Sequence, residues 1–286
     1  MAEILKGIHV AEALRASLAP QVAALKEKGI APALAIVRVG ERGDDIAYER
    51  GAMKNCEKCG VAVKLVTLNA DISEDALIKE ISHLNADSSV HGVLLFRPLP
   101  KGFNDDRIRN TLASEKDVDG ITDASLAGVF TGNGVGFPPC TPQACMEILE
   151  HYGIDPKGKR AVVIGRSLVV GKPAAMMLLA RNATVTVCHT RTVDMPAVCR
   201  EGELLIVSAG RAGIIDKSYL SPGQTVIDVG INVKEDGSLC GDVSFADAES
   251  IAGAVTPVPG GVGTVTTTVL IKHVVEATMR QTQTSV

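Results

Sequence analysis

Residues 48 to 54 read YERGAMK, with a phenol at Tyr48 and an amine at Lys54. Such groups can handle protons together if they share a helix face, where neighbours stand three or four residues apart. Position 52, where a partner of Tyr48 belongs, is Ala. Two carboxylates, Asp117 and Asp119, sit in KDVDG (116–120). Local amides of an Asx-type turn compete for such oxygens, and that is the preferred reading for Asp117. Cys56 and Cys59 in CEKCG have metal-like spacing, but a zinc site needs a second pair, and the nearest candidates lie far along the chain. The six histidines are scattered, without HExxH spacing or a nucleophile pattern. No metal site is expected, and the cysteines read as free, buried small hydrophobes in a reducing compartment.

The second chemical feature is the stretch KRAVVIGRSLVVGKPAAMMLLARNATVTVCHTRT, which reads as strand, glycine-rich turn, helix, strand. It is the opening of a nucleotide-binding βαβ unit, although Ser167 and Val170 stand where GxGxxG would place its second and third glycines. Gly165 ends the apolar strand, Gly171 and Pro173 open the helix, and free amides at a helix start suit a pyrophosphate. The next strand ends in CHTRT with no Asp or Glu to take a ribose hydroxyl. Arg166 and Thr190, with Arg191 as a further cation, suit a ribose phosphate instead, so NADP is expected over NAD, with NAD possible. A tight turn and solvated arginines are the bland alternatives.

These features need a scaffold, and the hydrophobic pattern supplies one. Val10, Leu14, Leu18, Val22 and Leu25 recur at helical spacing, and ALAIVRV (33–39) is an apolar run of strand length. The alternation continues with a helix over about 45–59, the strand VAVKLVTL, a helix after Ser73, the strand HGVLLF and a short helix after Asn104. Alternating elements of this kind form a parallel sheet covered by helices. From 114 to 140 the text is loop-like, and Thr141-Pro142 then starts a helix as N-cap and first-turn proline. The expected fold is therefore α/β with two domains, 1–140 and 141–263.

Composition narrows the function. A net charge of −4 with no basic block argues against nucleic acid and anionic membranes, and points to small-molecule partners. At 46% hydrophobic and 22% charged residues, the chain can bury a sizeable core. The start, MAEILKGIHVAEALRASL, has no long apolar run or cleavage-site pattern, so a cytoplasmic protein is expected.

FRPLPKG (96–102), KDVDG, GRSLVVGKP, VIDVGIN (226–232), GDV (241–243) and TPVPGGVGTVT (256–266) together resemble the methylenetetrahydrofolate dehydrogenase/cyclohydrolase family over nearly the whole chain. The resemblance implies a folate-binding first domain, a Rossmann second domain, and a C-terminal helix, within 264–286, returning to the first. It implies an enzyme of one-carbon metabolism and purine biosynthesis that works as a homodimer. It assigns the folate to Tyr48, Pro98, Leu99, Pro100, Asp119 and the loop of Pro259, Gly260, Gly261, Val262 and Gly263. Tyr48 and Asp119 are the implied catalytic pair, Asp119 accepting hydrogen bonds from the pterin's amino-pyrimidine edge. Gly165, Arg166, Ser167, Thr190 and Ile231 fall on the cofactor positions.

The chain also departs from that pattern. The family's helix carries Lys four residues after Tyr, often with a second Lys two further on, and its strand-end motif carries Gln where this chain has Phe96. Here position 52 is Ala, and Lys54 corresponds to the second lysine. Two residues along a helix is a rotation of about 200°, so Lys54 cannot stand in for a lysine at 52. Asp45 for Ser, and Thr264-Val265 for Pro-Met, are smaller departures. The expectation is a dehydrogenase whose cyclohydrolase activity is lost or weak. The alternatives are a bifunctional enzyme in which Arg97 or Lys54 compensates, a non-catalytic folate- or nucleotide-binding protein, and a related dehydrogenase acting on another substrate.

Overall fold

In the computed structural model, which describes residues 1–283, the chain forms two compact units. One comprises Met1–Glu12 and Thr141–Thr266, the other Ala13–Cys140 and the chain from Thr267 onward. In chain order the elements are β1 (Glu3–Ile4), α1 (Gly7–Glu27), β2 (Ala33–Val39), α2 (Gly43–Cys59), β3 (Ala62–Leu68), α3 (Glu74–Ala86), β4 (Gly92–Leu95), α4 (Asp105–Arg109), α5 (Asp123–Thr131) and α6 (Cys140–His151). They continue as β5 (Arg160–Ile164), α7 (Gly171–Ala180), β6 (Thr184–Cys188), α8 (Met195–Glu201), β7 (Leu204–Val207), β8 (Thr225–Asp228), β9 (Asn232–Val233), β10 (Leu239–Cys240), α9 (Phe245–Ile251), β11 (Ala254–Val255) and α10 (Val262–Gln281).

The unit built on 13–140 has a parallel three-stranded sheet, β3-β2-β4. Its central strand is an unbroken apolar run save for Arg38, as expected of a strand covered on both faces. Ser73 caps α3 by accepting from Ala76 N at 3.2 Å, and this helix lays Leu77, Ile81 and Leu84 against Ala35, Val37, Val93 and Leu95. Each such fully buried side chain contributes roughly 1.5–3 kcal/mol relative to exposure. Arg38 is buried because its Nε donates to Glu49 Oε2 at 2.9 Å, which fixes the inner face of α2: Glu49, Ala52 and Cys56. Gly60, at φ 70°, ends that helix in the left-handed conformation.

The other unit carries the parallel sheet β1-β11-β8-β7-β5-β6 and a small antiparallel β9–β10 hairpin. From β5 the chain goes outward to β6 and then returns to β7 on the far side of β5. The order therefore reverses between β5 and β7, and a crevice opens outside their carboxyl ends, where doubly wound sheets bind ligands. Among the described residues, no helix is long and apolar enough to cross a membrane.

Three local features differ from the sequence expectation. Glu3 and Ile4 pair with Ala254 and Val255, so the first residues join the sheet of the second unit rather than the 1–140 unit. α5 lies inside the stretch expected to be loop; Thr122 caps it through Ser125 N and Gly132 at φ 70° ends it. Its nine residues are too few for a periodic signal to stand out from the flanking glycines. α6 begins at Cys140, one residue before the expected cap. Of the segment 264–286, residues 264–281 are the helical body of α10, while 284–286 lie outside the described residues.

Candidate functional site

In the 13–140 unit the candidate residues lie at the carboxyl end of β4, on the inner part of α2, and in the turn before α5. Tyr48 is 40% exposed, and its ring meets Phe96 edge-on, with centroids 5.7 Å apart. Ala52, one turn on, is 1% exposed, and Phe96 is also buried. Lys54 is exposed, on the side of α2 away from Ala52. Beyond Phe96, the Arg97–Pro98 bond is cis, and Arg42 Nη1 donates to Pro98 O at 3.0 Å. Arg97 makes a two-pronged ion pair with Asp105, its Nε donating to Oδ1 at 2.7 Å.

The two carboxylates of KDVDG have opposite environments. Asp117 is fully buried and accepts from Ile121 N at 3.0 Å, Thr122 N at 2.8 Å and Ser125 Oγ at 2.6 Å. Those local bonds are its function in the turn. Asp119 is half-buried, and its one bonded neighbour of note is the Cys140 thiol. Desolvation, with Asp117 close by, pushes its carboxyl up to about 7; the bond from Cys140 and the charge of Arg97 pull the other way. Cys140 also donates to Val118 O at 3.2 Å, and His273 Nδ1, on α10, lies 2.8 Å from the same carbonyl. The turn thus rests on a buried thiol and imidazole. Desolvation of the phenol against the body of the unit, then the Asp119 and Cys140 charges, raises Tyr48 far above its ordinary range, so it keeps its proton.

In the other unit the glycine-rich turn follows β5. Gly165 has φ +121°, and a Cβ there would lie 2.4 Å from Ser208 O; a Cβ on Gly171 would lie 2.2 Å from Gly165 O. Backbone approaches backbone so closely that only glycine fits either position. Arg166, Thr190 and Arg191 are exposed at the ends of β5 and β6. Ser167 differs from a free ligand contact: its Oγ accepts from Val170 N at 3.1 Å, so it holds the turn and retains only its proton for a phosphate. Asp194, the first carboxylate after β6, caps α8 by accepting from Ala197 N at 3.4 Å. A cradle of glycines, an exposed arginine and no free carboxylate at the end of β6 fit a phosphorylated dinucleotide.

Ile231, 65% exposed, stands at the tip of the loop after β8, where a Cβ on Gly263 would lie 3.5 Å from its Cδ1. Gly260 (φ +101°) and Gly261 form the turn into α10; Gly7 N donates to Gly260 O at 2.8 Å, and Val258–Pro259 is cis. Each unit thus assembles its own share of the expected residues: Tyr48, Pro98–Pro100 and Asp119 in one, residues 165–167, Thr190, Ile231 and 259–263 in the other. Sequence reasoning assigned no role to Cys140, His273, Asp228 or Asp242. The isolated GDV and VIDVGIN motifs were the only signal for the last two. Cys56 and Cys59 lie on α2, and burial raises the Cys56 thiol to about 12.

Sheet order, reversal point and glycine cradle define a nucleotide-binding α/β protein. Residues 139–282 match the NAD(P)-binding domain of tetrahydrofolate dehydrogenase/cyclohydrolase, and residues 5–119 match that family's catalytic domain. The chain is 52% identical over 279 residues to the Bifunctional protein FolD of Carboxydothermus hydrogenoformans, covering 97% of each chain. It superposes on the bifunctional methylenetetrahydrofolate dehydrogenase/cyclohydrolase of Campylobacter jejuni with a TM-score of 0.95 at 38% identity, covering 98% of this chain and 99% of that one. For the Trypanosoma brucei enzyme, complexed with NADP cofactor and inhibitor, the TM-score is 0.92 at 33% identity, with 99% of each chain covered. This chain belongs to the tetrahydrofolate dehydrogenase/cyclohydrolase family.

Proposed function

We propose that this chain is an NADP-dependent methylenetetrahydrofolate dehydrogenase, forming methenyltetrahydrofolate, in which the second family activity, cyclohydrolysis, is lost or much reduced. The bound nicotinamide supplies the hydride acceptor. The protein's task is then to align two carbons and exclude water, since the product cation is stabilised by its own nitrogens. Asp119 takes the pterin edge, Tyr48 and residues 98–100 line the folate, and Arg166 with Thr190 holds the ribose phosphate. A cytoplasmic homodimer belongs to the same proposal, on the family resemblance.

The observation that carries the reading is the apolar character of the Tyr48 face: buried Ala52 one turn on, and Phe96 packed edge-on against the phenol. Ring opening by water needs a group that moves protons, and a tuned lysine is such a group. Neither compensating residue fits. Arg97 is held in a two-pronged ion pair by Asp105, and Lys54 lies on the exposed side of α2.

The test is a side-by-side assay of the pure protein. It should reduce NADP with methylenetetrahydrofolate while hydrolysing methenyltetrahydrofolate barely above the buffer rate, a deficit of about 10²–10⁴-fold if general acid–base help is missing. Ala52→Lys with Phe96→Gln should recover hydrolysis where neither single change does, because groups that act as a unit are non-additive. Hydrolysis by the unmodified protein as fast as it makes the methenyl compound would overturn the proposed loss; absence of NADP reduction would overturn the dehydrogenase.

A further inference from the structure

Two aspartates outside the expected site tie together three loops of the six-stranded unit. Asp228, the last residue of β8, is 4% exposed, and Asp242, just after β10, is fully buried. Asp228 Oδ1 accepts from Gly230 N at 2.9 Å and Asp242 N at 3.1 Å, and its Oδ2 accepts from Val243 N at 3.0 Å. Asp242 Oδ2 accepts from Gly210 N at 2.8 Å, and its Oδ1 from Arg211 N and Asn232 Nδ2, each at 2.9 Å. Six donors therefore converge on two carboxylates, and five of them are backbone amides from the loops after β7, β8 and β10.

The packing leaves no slack. A Cβ on Gly241 would lie 1.8 Å from Asp228 Oδ2, and one on Gly230 would lie 2.3 Å from Asp242 Cγ. Each glycine gives the other segment's carboxylate its place. Between the two anchored residues, Gly230 and Asn232, stands Ile231, whose own side chain bonds to nothing in this knot and projects outward. The loop after β7 held by Asp242 flanks the crevice where the sheet order reverses, and Ser208 in it meets the Gly165 turn.

We infer that Asp242 and Asp228 are positioning residues for hydride transfer: by fixing the loops after β7, β8 and β10 as one rigid block, they set where Ile231 presses on the nicotinamide end of the cofactor. This rests on the proposed dehydrogenase reading. The adenosine end is assigned to Arg166 and Thr190, which take no part in the knot. The two ends of one ligand therefore report separately.

Asp242→Asn keeps the size of the side chain but turns one acceptor into a donor facing amide N–H groups. Asn232→Ala, at a half-buried position, removes one of the six bonds and leaves the amide anchors of Asp242 intact. The experiment measures the single-turnover rate of NADP reduction by methylenetetrahydrofolate, and the affinity for adenosine 2′,5′-bisphosphate, in both variants and the parent. Misplacement of reacting carbons by about 1 Å costs on the order of 10²-fold. Asp242→Asn should lose about 10- to 100-fold in the hydride-transfer rate and Asn232→Ala a few-fold, with the bisphosphate bound as in the parent. A purely structural role would weaken both readouts together, and that parallel loss overturns the inference. So does an unchanged hydride-transfer rate in Asn232→Ala together with either a normal rate or misfolding in Asp242→Asn. If the parent itself fails to reduce NADP, the dehydrogenase reading fails and this inference falls with it; an active parent with normal variants removes the inference alone.

Discussion

Each unit holds a pair of aspartates, and the pairs are used differently. Asp228 and Asp242 each accept three hydrogen bonds, and almost all the donors are backbone amides. In the other unit Asp117 is saturated in the same way, but the bonded neighbour of note for Asp119 is a single thiol, that of Cys140. Both kinds of carboxylate sit where burial penalises charge, and burial lifts Asp228 to about 6 despite its three amides. What separates them is spare acceptor capacity. A buried carboxylate with filled lone pairs organises the chain, while one left short of donors keeps acceptor capacity to spare.

That contrast is broken most directly at Asp119. Asp119→Ala should weaken folate binding by on the order of 10²-fold, since a buried pterin edge left without its acceptor costs about 1–3 kcal/mol or more. Thermal stability at alkaline pH should be unchanged or higher, because an underbonded charge has been removed. Unchanged folate affinity in a titration would return Asp119 to the structural class. Next in size, Arg166→Ala should weaken NADP by about tenfold or more relative to NAD, because a charge-assisted bond to phosphate disappears. Equal losses for the two cofactors, measured by KM, would refute the ribose-phosphate assignment.

A third test uses pH. In the role proposed for it, Asp119 accepts the pterin's donors as a carboxylate, and burial, which pushes the group up to about 7, makes acidification protonate it. Folate affinity should therefore fall below about pH 7, by at most tenfold per pH unit, and Asp119→Asn should flatten the profile. The stability of the free protein runs the opposite way: with the folded value raised above 3.8, the contribution of this group declines as pH climbs towards 7. Smallest is Thr122→Ala, which removes the cap of α5 and should cost about 1 kcal/mol in denaturant unfolding. Folate affinity should stay near the parent value if Asp117 still holds the turn.

The legible parts of this molecule were those where the backbone itself is constrained. Gly165, Gly171 and Gly261 announce close approaches that exclude a side chain, and the apolar runs of β2 and β5 announce a buried parallel sheet. Asp117 could be assigned to its turn because its partners lie within eight residues. The knot of Asp228 and Asp242 was hidden because its donors come from segments up to 32 residues apart, and spacing carries no record of such a meeting. The bond from Val170 N to Ser167 Oγ was hidden as well, since a hydroxyl that holds a turn reads the same as any other in a string of letters. A two-residue strand such as β1 is too short to show a period at all.

That short strand sets a timetable. Glu3 and Ile4 find their partners at Ala254 and Val255, about 250 residues downstream. At a synthesis rate of roughly 5–20 residues per second, Glu3 waits on the order of 10–50 s before its strand partner is even made. During that interval the edge of β8 that later receives β11, which in turn receives β1, also stands open once β8 itself has emerged. On the ribosome the six-stranded sheet is therefore closed late, by a pairing that joins nearly the first residues made to some of the last.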